Sequence, residues 1–464
     1  MRMRKLVAAA AMSAALALTV VGCSSSGANT SSTGSNGVKV PDFTAKPAKT
    51  LSIEGVNPTD EVAKSRVSYA DSKLKSAGVS VSLNKATFDP QKFTAQIASG
   101  KVPDLIYMDR AQVATYASKG LVIPLDQCFK DNNVDATKAY YPAILDAVKY
   151  QGDTYAIPEF WQTNAIMLNQ RVLKKAGVTA DDFNMKDPDA VLAAAKKVYQ
   201  ASGGKPSVIG FDPAVSGGNA NVWLFAFGGG LVDSKGKPTL NSAANIKAFT
   251  WLKQLYDEQG GYAKAASFIN TFDYFGDNNQ YVKDQVGGEL VQQWYPAVLT
   301  AVASKIDISA VPLTNTSGQP IGVADGNGYA IPTASKNPQA ACQWALDMTS
   351  TTAWNKAATA RLATDAKQNP NIFTGLFTGS PAADKAINAK QTYGGIAGFQ
   401  QVEQAFNQTL TNGVSWGSSP VGQQVTTELT NAVAPAMTGS KSVKQALDDA
   451  QTAALRDYNQ AKKK

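Results

Sequence analysis

The chain has 464 residues, 44% of them hydrophobic, and a formal net charge of +8 with no histidine. That length exceeds what one hydrophobic core usually holds, so two lobes are expected. The missing histidine removes Ser-His-Asp and Cys-His nucleophile systems and every zinc site built on imidazole; the scattered lysines, with no run before Lys462, Lys463 and Lys464, give no footprint for nucleic acid.

Taken from the start, Arg2, Arg4 and Lys5 precede an apolar run from Leu6 to Val21, followed by Gly22 and Cys23. The run is shorter than the ~20 residues that cross a bilayer as a helix. A cationic start, a short apolar stretch and small residues before a cysteine form the pattern of a bacterial lipoprotein signal. Residues 1–22 are thus expected to be removed and Cys23 to take a lipid, leaving a chain of net charge +5 anchored on the extracytoplasmic face of the cell membrane. The Ser/Gly/Thr-rich stretch that follows makes residues 23–48 a flexible tether with a reach of about 25–30 Å.

From residue 51 the pattern alternates: strand 51–56, helix 60–77, strand 79–83, helix 91–98, strand 105–108. This βαβαβ order implies a parallel sheet covered by helices, with ligands beyond the carboxyl ends of its strands, where Glu54, Asn57, Asp109 and Arg110 lie. A second lobe follows, with strands at 165–168 and 207–211 and helices at 188–200, 219–227 and 243–259. Strands at 306–312 and 328–332, a helix at 338–349 and a helical last hundred residues complete the chain, in which Ser442 and Gln445 have capping-box spacing. Cys128 and Cys342 are available to pair in an exported protein, a question the sequence leaves open.

Six segments occur in an order that resembles a known family: FTAQIASGKVPDLI (93–106), GLVIPLD (120–126), GDTYAIP (152–158), LNQRVLKKAG (168–177), GNGYAIPTASKNPQAA (326–341) and VKQALDDAQ (443–451). Together they resemble the carbohydrate-type extracellular solute-binding lipoproteins of bacterial ABC importers. The resemblance implies an α/β, two-lobed periplasmic-binding-protein-like fold, each lobe a mixed sheet flanked by helices, with a hinge and a ligand cleft between them. It places lobe 1 at 49–160 plus 311–360, lobe 2 at 161–310 plus 361–464, and chain crossings near 158–163, 310–312 and 360–370. It further implies a monomer that delivers a mono- or oligosaccharide to the permease subunits of an importer, without catalysis, cofactor or metal. The chain departs from the family where Asp325-Gly326-Asn327-Gly328 replaces Gly-Gly-Trp-Gly, and where Leu168-Asn169-Gln170 replaces a Tyr-Asn-Lys strand end.

A pyranose presents apolar C–H faces and a rim of hydroxyls, so its site needs aromatic plates and planar polar side chains. Trp161 at the first crossing, Trp223, Trp294 and Tyr295 are the candidate plates, with hinge or core packing as the alternative for each. Asp109, Glu54, Asn57, Glu159 and Asn327 are the candidate polar groups, with helix or turn capping as their alternative; Asp212 and Gln293 rank below them. Trp251 and Trp344 read as helix packing, and Trp354 and Trp416 are assigned to neither role. Two rival functions stay open. One is an anionic or non-sugar solute with Arg66 or Arg110 as counter-charge; the other is an exported carbohydrate-active enzyme, whose signature would be two carboxylates about 5–9 Å apart.

Overall fold

The computed structural model describes residues 33–463, so the signal segment and Cys23 lie outside the described residues. Two five-stranded sheets organise the chain. The first has the order Ser80–Asn84, Thr50–Glu54, Leu105–Asp109, Asn327–Ala330, Ile157–Pro158. Its first three strands are parallel, as the βαβαβ reading requires; Asn327–Ala330 runs antiparallel to Leu105–Asp109, and Ile157–Pro158, antiparallel to it in turn, runs in the direction of the first three. The second sheet has the order Ile308–Pro312, Asn164–Asn169, Val286–Gln292, Lys205–Asp212, Gln200–Ser202. Both sheets are mixed, because a strand that enters a lobe from the other lobe arrives against the local direction.

Local chemistry explains the helices around the first sheet. Asp60 caps the Glu61–Ser76 helix by accepting from the Ala63 amide at 2.7 Å. The Pro90–Ser99 helix starts on Asp89 with proline in its first turn and ends at Gly100 in the left-handed region. Around the second sheet, Asn169 caps the Gln170–Ala176 helix from the end of a fully buried strand.

Each sheet has its own hydrophobic core. One core gathers residues from Phe43 to Trp161 and from Ala324 to Met348; the other runs from Ala165 to Val323 and again from Ile372 to Tyr458. The first crossing therefore falls at residues 161–165. At the second crossing Leu313, Ile321 and Val323 still pack with the second core, so the first core resumes at Ala324 rather than at residue 311. The reason is a short hairpin at 313–321, in which Ile321 donates its amide to Leu313 O, that stays against the second lobe. At 360–370 the chain is one continuous helix, Thr351–Gln368, whose Trp354, Ala357 and Ala358 form a third small cluster with Val62, Phe373, Ala383 and Ile387.

The stretch expected as tether is folded from residue 33 onward. Asn36 Nδ2 donates to Ala117 O and Val122 O, the Ser35 amide donates to Asp153, and Phe43 is buried in the first core. Asparagine in this polar stretch supplies fixed hydrogen bonds, which composition alone does not reveal. Cys128 and Cys342 form a disulfide that joins the Asp126–Asp131 and Pro338–Thr349 helices, so it links the two chain segments of the first lobe. The last hundred residues are mostly helical, as expected, with short strands at Ile372–Phe373, Thr392–Tyr393 and Gly413–Val414. Among the described residues no helix is long and apolar enough to cross a membrane.

Candidate ligand-binding site

A cavity of about 310 Å³ lies between the lobes. Val56, Asn57, Asp60, Arg66, Tyr107, Glu159 and Tyr329 form its wall on the first lobe, while Gln293, Trp294, Ala297 and Phe377 face them from the second; Trp354, Arg361 and Gln162 close the sides.

The first-lobe wall is built on Glu159. Tyr107 and Tyr329 are register partners on adjacent antiparallel strands, so their rings fall on one face, with centroids 5.0 Å apart. Both hydroxyls donate to the Glu159 carboxylate, Tyr329 at 2.9 Å, and Arg66 Nη1 lies 2.7 Å from it. Burial works against the Arg66 charge, but Glu159 beside it more than compensates and holds the guanidinium above its usual range. The other face of that guanidinium rests on the Trp354 ring at 3.9 Å. Burial, and then Glu159, push the two tyrosine hydroxyls upward, so they remain donors at any ordinary pH.

Three buried polar groups of the wall have no protein partner among the described residues: Arg66 Nε, Trp354 Nε1 and Gln293 Oε1. Leaving such a group unpaired costs about 1–3 kcal/mol. Asn57 is exposed at the mouth, with its amide available. Trp294 is half-buried and oriented by its Nε1–H, which donates to Gln292 Oε1 at 2.7 Å. Both cations on the wall are already neutralised, Arg66 by Glu159 and Arg361 by Glu61 and Asp60. The cavity can therefore stack on an apolar ring face and bond neutral hydroxyls, and it keeps no free cation for an anion.

Of the residues singled out from sequence, Trp294, Glu159, Asn57, Gln293 and the counter-charge candidate Arg66 meet at this cavity. The others are elsewhere. Trp161 is 1% exposed, donates to Val323 O at 2.8 Å and packs edge-on against Tyr141, which makes it a hinge-packing residue. Trp223 is fully buried between Phe211 and Trp251 and donates to Pro213 O. Tyr295 is buried behind Trp294, accepts from Gln280 and donates to Tyr274 O. Asp109 caps the Arg110–Ser118 helix through the Ala111 amide, the alternative foreseen for it. Glu54 is held by Asn84, Lys92 and Gln96 at 2.9–3.0 Å. Asn327 contributes its carbonyl to Glu159 N and Arg110 Nη1 and is not part of the wall. Asp212 is buried beside Glu289, its register partner on the neighbouring strand.

Arg110, one of the two proposed counter-charges, is a hinge residue. Its guanidinium donates to the carbonyls of Phe160, Ala324, Asp325 and Asn327, tying the first and second crossings together, and burial lowers it to about 10. Gly326 makes this approach possible: its φ is +130°, and a Cβ there would lie 2.7 Å from Arg110 Nη2 and 2.9 Å from Phe160 O.

Tyr107, Tyr329, Trp354 and Phe377 were not chosen from sequence. Arg66 carried a readable signal, since it lies with Val62, Ala70 and Leu74 on the buried stripe of the Glu61–Ser76 helix, where a cation must have a partner.

The family of bacterial extracellular solute-binding proteins matches residues 80–353, more than half the chain. The chain belongs to that family. Its relatives include the arabinooligosaccharide-binding protein of Bacillus subtilis (strain 168), 26% identical over 249 residues, covering 53% of this chain and 55% of that protein. Another is a probable ABC transporter-binding protein of Deinococcus radiodurans, 27% identical over 254 residues, covering 51% and 56%. The chain thus spans about half the length of the curated relatives it matches. Among solved structures, CpMnBP1 with mannotriose bound has a TM-score of 0.70 at 22% identity and covers 88% of this chain and 100% of that one. A cyclo/maltodextrin-binding protein complexed with maltotetraose has a TM-score of 0.62 at 19% identity, covering 89% and 98%. These likenesses establish the two-lobed fold of the solute-binding protein.

Proposed function

We propose that this solute-binding protein takes a neutral carbohydrate into the cavity between its lobes and presents it to the permease of an ABC importer. The observation that carries the reading is the wall itself: an indole plate at Trp294, the exposed amide of Asn57, and two arginines already paired with carboxylates. Aromatic faces with unpaired planar donors and acceptors suit a sugar, and paired arginines do not suit an anion. The relatives named for sugars support the same class. Trp294, Asn57, Gln293, Arg66 and Trp354 are the proposed contacts, and Glu159 supports them from behind.

The proposal extends to the setting. Removal of residues 1–22 and lipidation of Cys23 would anchor the protein on the outer face of the membrane as a monomer. Residues from 33 onward are folded against the first lobe and are not part of a free tether. The two lobes are proposed as 33–160 plus 324–368 and 165–323 plus 372–463, closing on the ligand by a hinge motion.

A thermal-shift screen tests the ligand class. Soluble protein from residue 33 onward is heated with neutral mono- and oligosaccharides, uronic acids and sugar phosphates. A ligand at 100 times its Kd adds about 2.7 kcal/mol, and Trp294→Ala should weaken a sugar by about 1–3 kcal/mol. Stabilisation by anionic compounds alone would refute the neutral reading.

A further inference from the structure

Phe275 is 72% exposed, the one large hydrophobic side chain among the described residues that is left in solvent. It is not a loose group on a loop. Its ring lies parallel to Trp294, with a 9° angle between planes and centroids 5.9 Å apart. The preceding Tyr274 stacks on buried Tyr295 at 4.1 Å, which anchors the segment in the second lobe. The turn carrying Phe275 closes through Gly276 N donating to Asp273 O. Asp273, Asp277 and Asn278 are exposed on either side of the phenyl ring.

A single exposed hydrophobe needs no explanation by itself, but a ring stacked on an aromatic of a cavity wall extends that wall. Here the plate continues Trp294, an aromatic of the cavity wall on the second lobe, and planar acceptors flank it. We propose that Phe275 and Trp294 form a stepped outer platform for a further sugar ring, so that the ligand is an oligosaccharide reaching out of the cavity past Trp294. This rests on the carbohydrate reading above and adds length to it. Phe275 sets preference for the longer ligand and leaves the ring inside the cavity untouched.

The test is calorimetric titration of the wild type and Phe275→Ala with three matched series: mannose to mannotriose, glucose to maltotriose, and arabinose to arabinotriose. A ring this exposed can be truncated without unfolding the protein. Within the series that binds, wild-type affinity should rise with length, and Phe275→Ala should lose about tenfold on the trisaccharide while the shortest ligand stays within about twofold. Equal affinity at all lengths, a trisaccharide indifferent to the substitution, or a loss shared by every length would overturn the platform and leave the sugar reading standing. So would sedimentation showing a wild-type dimer that Phe275→Ala dissolves while sugar affinity is unchanged. No binding in any series would remove the sugar reading and this inference together.

Discussion

Glu159→Gln separates support from contact at the cavity wall. The carboxylate is 3% exposed, lies 2.7 Å from Arg66 Nη1 and accepts from Tyr107 and Tyr329. Glutamine keeps the shape and one acceptor oxygen but removes the charge, leaving the Arg66 guanidinium buried against Trp354 without a counter-ion. Two unit charges about 4 Å apart interact by about 4 kcal/mol at an effective dielectric near 20, and removing one partner of a buried pair costs about 3–5 kcal/mol. Retained tyrosine bonds and the ring under the guanidinium soften the loss, so we expect about 3–4 kcal/mol. Urea denaturation gives the number, and Arg66→Met combined with Glu159→Gln should recover part of it, because the stranded charge is then gone. A loss under about 1 kcal/mol, or unchanged stability with abolished sugar binding, would refute the supporting role and make Glu159 a ligand group.

Three further outcomes are expected. Reducing the Cys128–Cys342 bond, which closes a separation of 214 residues, should lower stability by about 3–5 kcal/mol in denaturant with little change in affinity. Glu289 is buried, and burial followed by the neighbouring Asp212 raises its carboxyl to about 8. The folded state therefore keeps a proton that the unfolded state releases near its ordinary value of 4.5, and Glu289 subtracts stability as pH rises from 4.5 toward 8. Glu289→Gln should accordingly gain in melting temperature relative to wild type between pH 5 and pH 8, and a constant difference would contradict the assignment. Trp223→Ala should cost about 3–5 kcal/mol of stability while the folded fraction binds sugar normally; a selective loss of binding would return Trp223 to the site.

The fold was readable because strand and helix periodicity is local. The first three parallel strands and the two-lobed plan needed only alternating patterns and length. The mixed sheets were not readable, since the direction of Asn327–Ala330 depends on a chain returning from the other lobe. The site was read through residue type at strand ends, which singled out Trp294, Glu159 and Asn57 of the residues that line the cavity. It misplaced Trp161 and Trp223 because an indole that fills a core and one that stacks on a sugar look alike in sequence, and only the partner of Nε1 tells them apart. Tyr107 and Tyr329 meet through cross-strand register over more than two hundred residues, which no local pattern carries. Arg66, named from sequence only as a counter-charge for an anionic solute, also carried a local signal, a cation on an apolar helical stripe.

The central claim, a sugar held between the lobes, is tested most directly by hydrogen exchange with and without the best sugar from the screen. Protection should rise on both sides of the cavity, at residues 56–66 and 159–162 of the first lobe and at 293–297 and 375–377 of the second. Protection confined to one lobe, or centred away from Trp294 and Arg66, would contradict it.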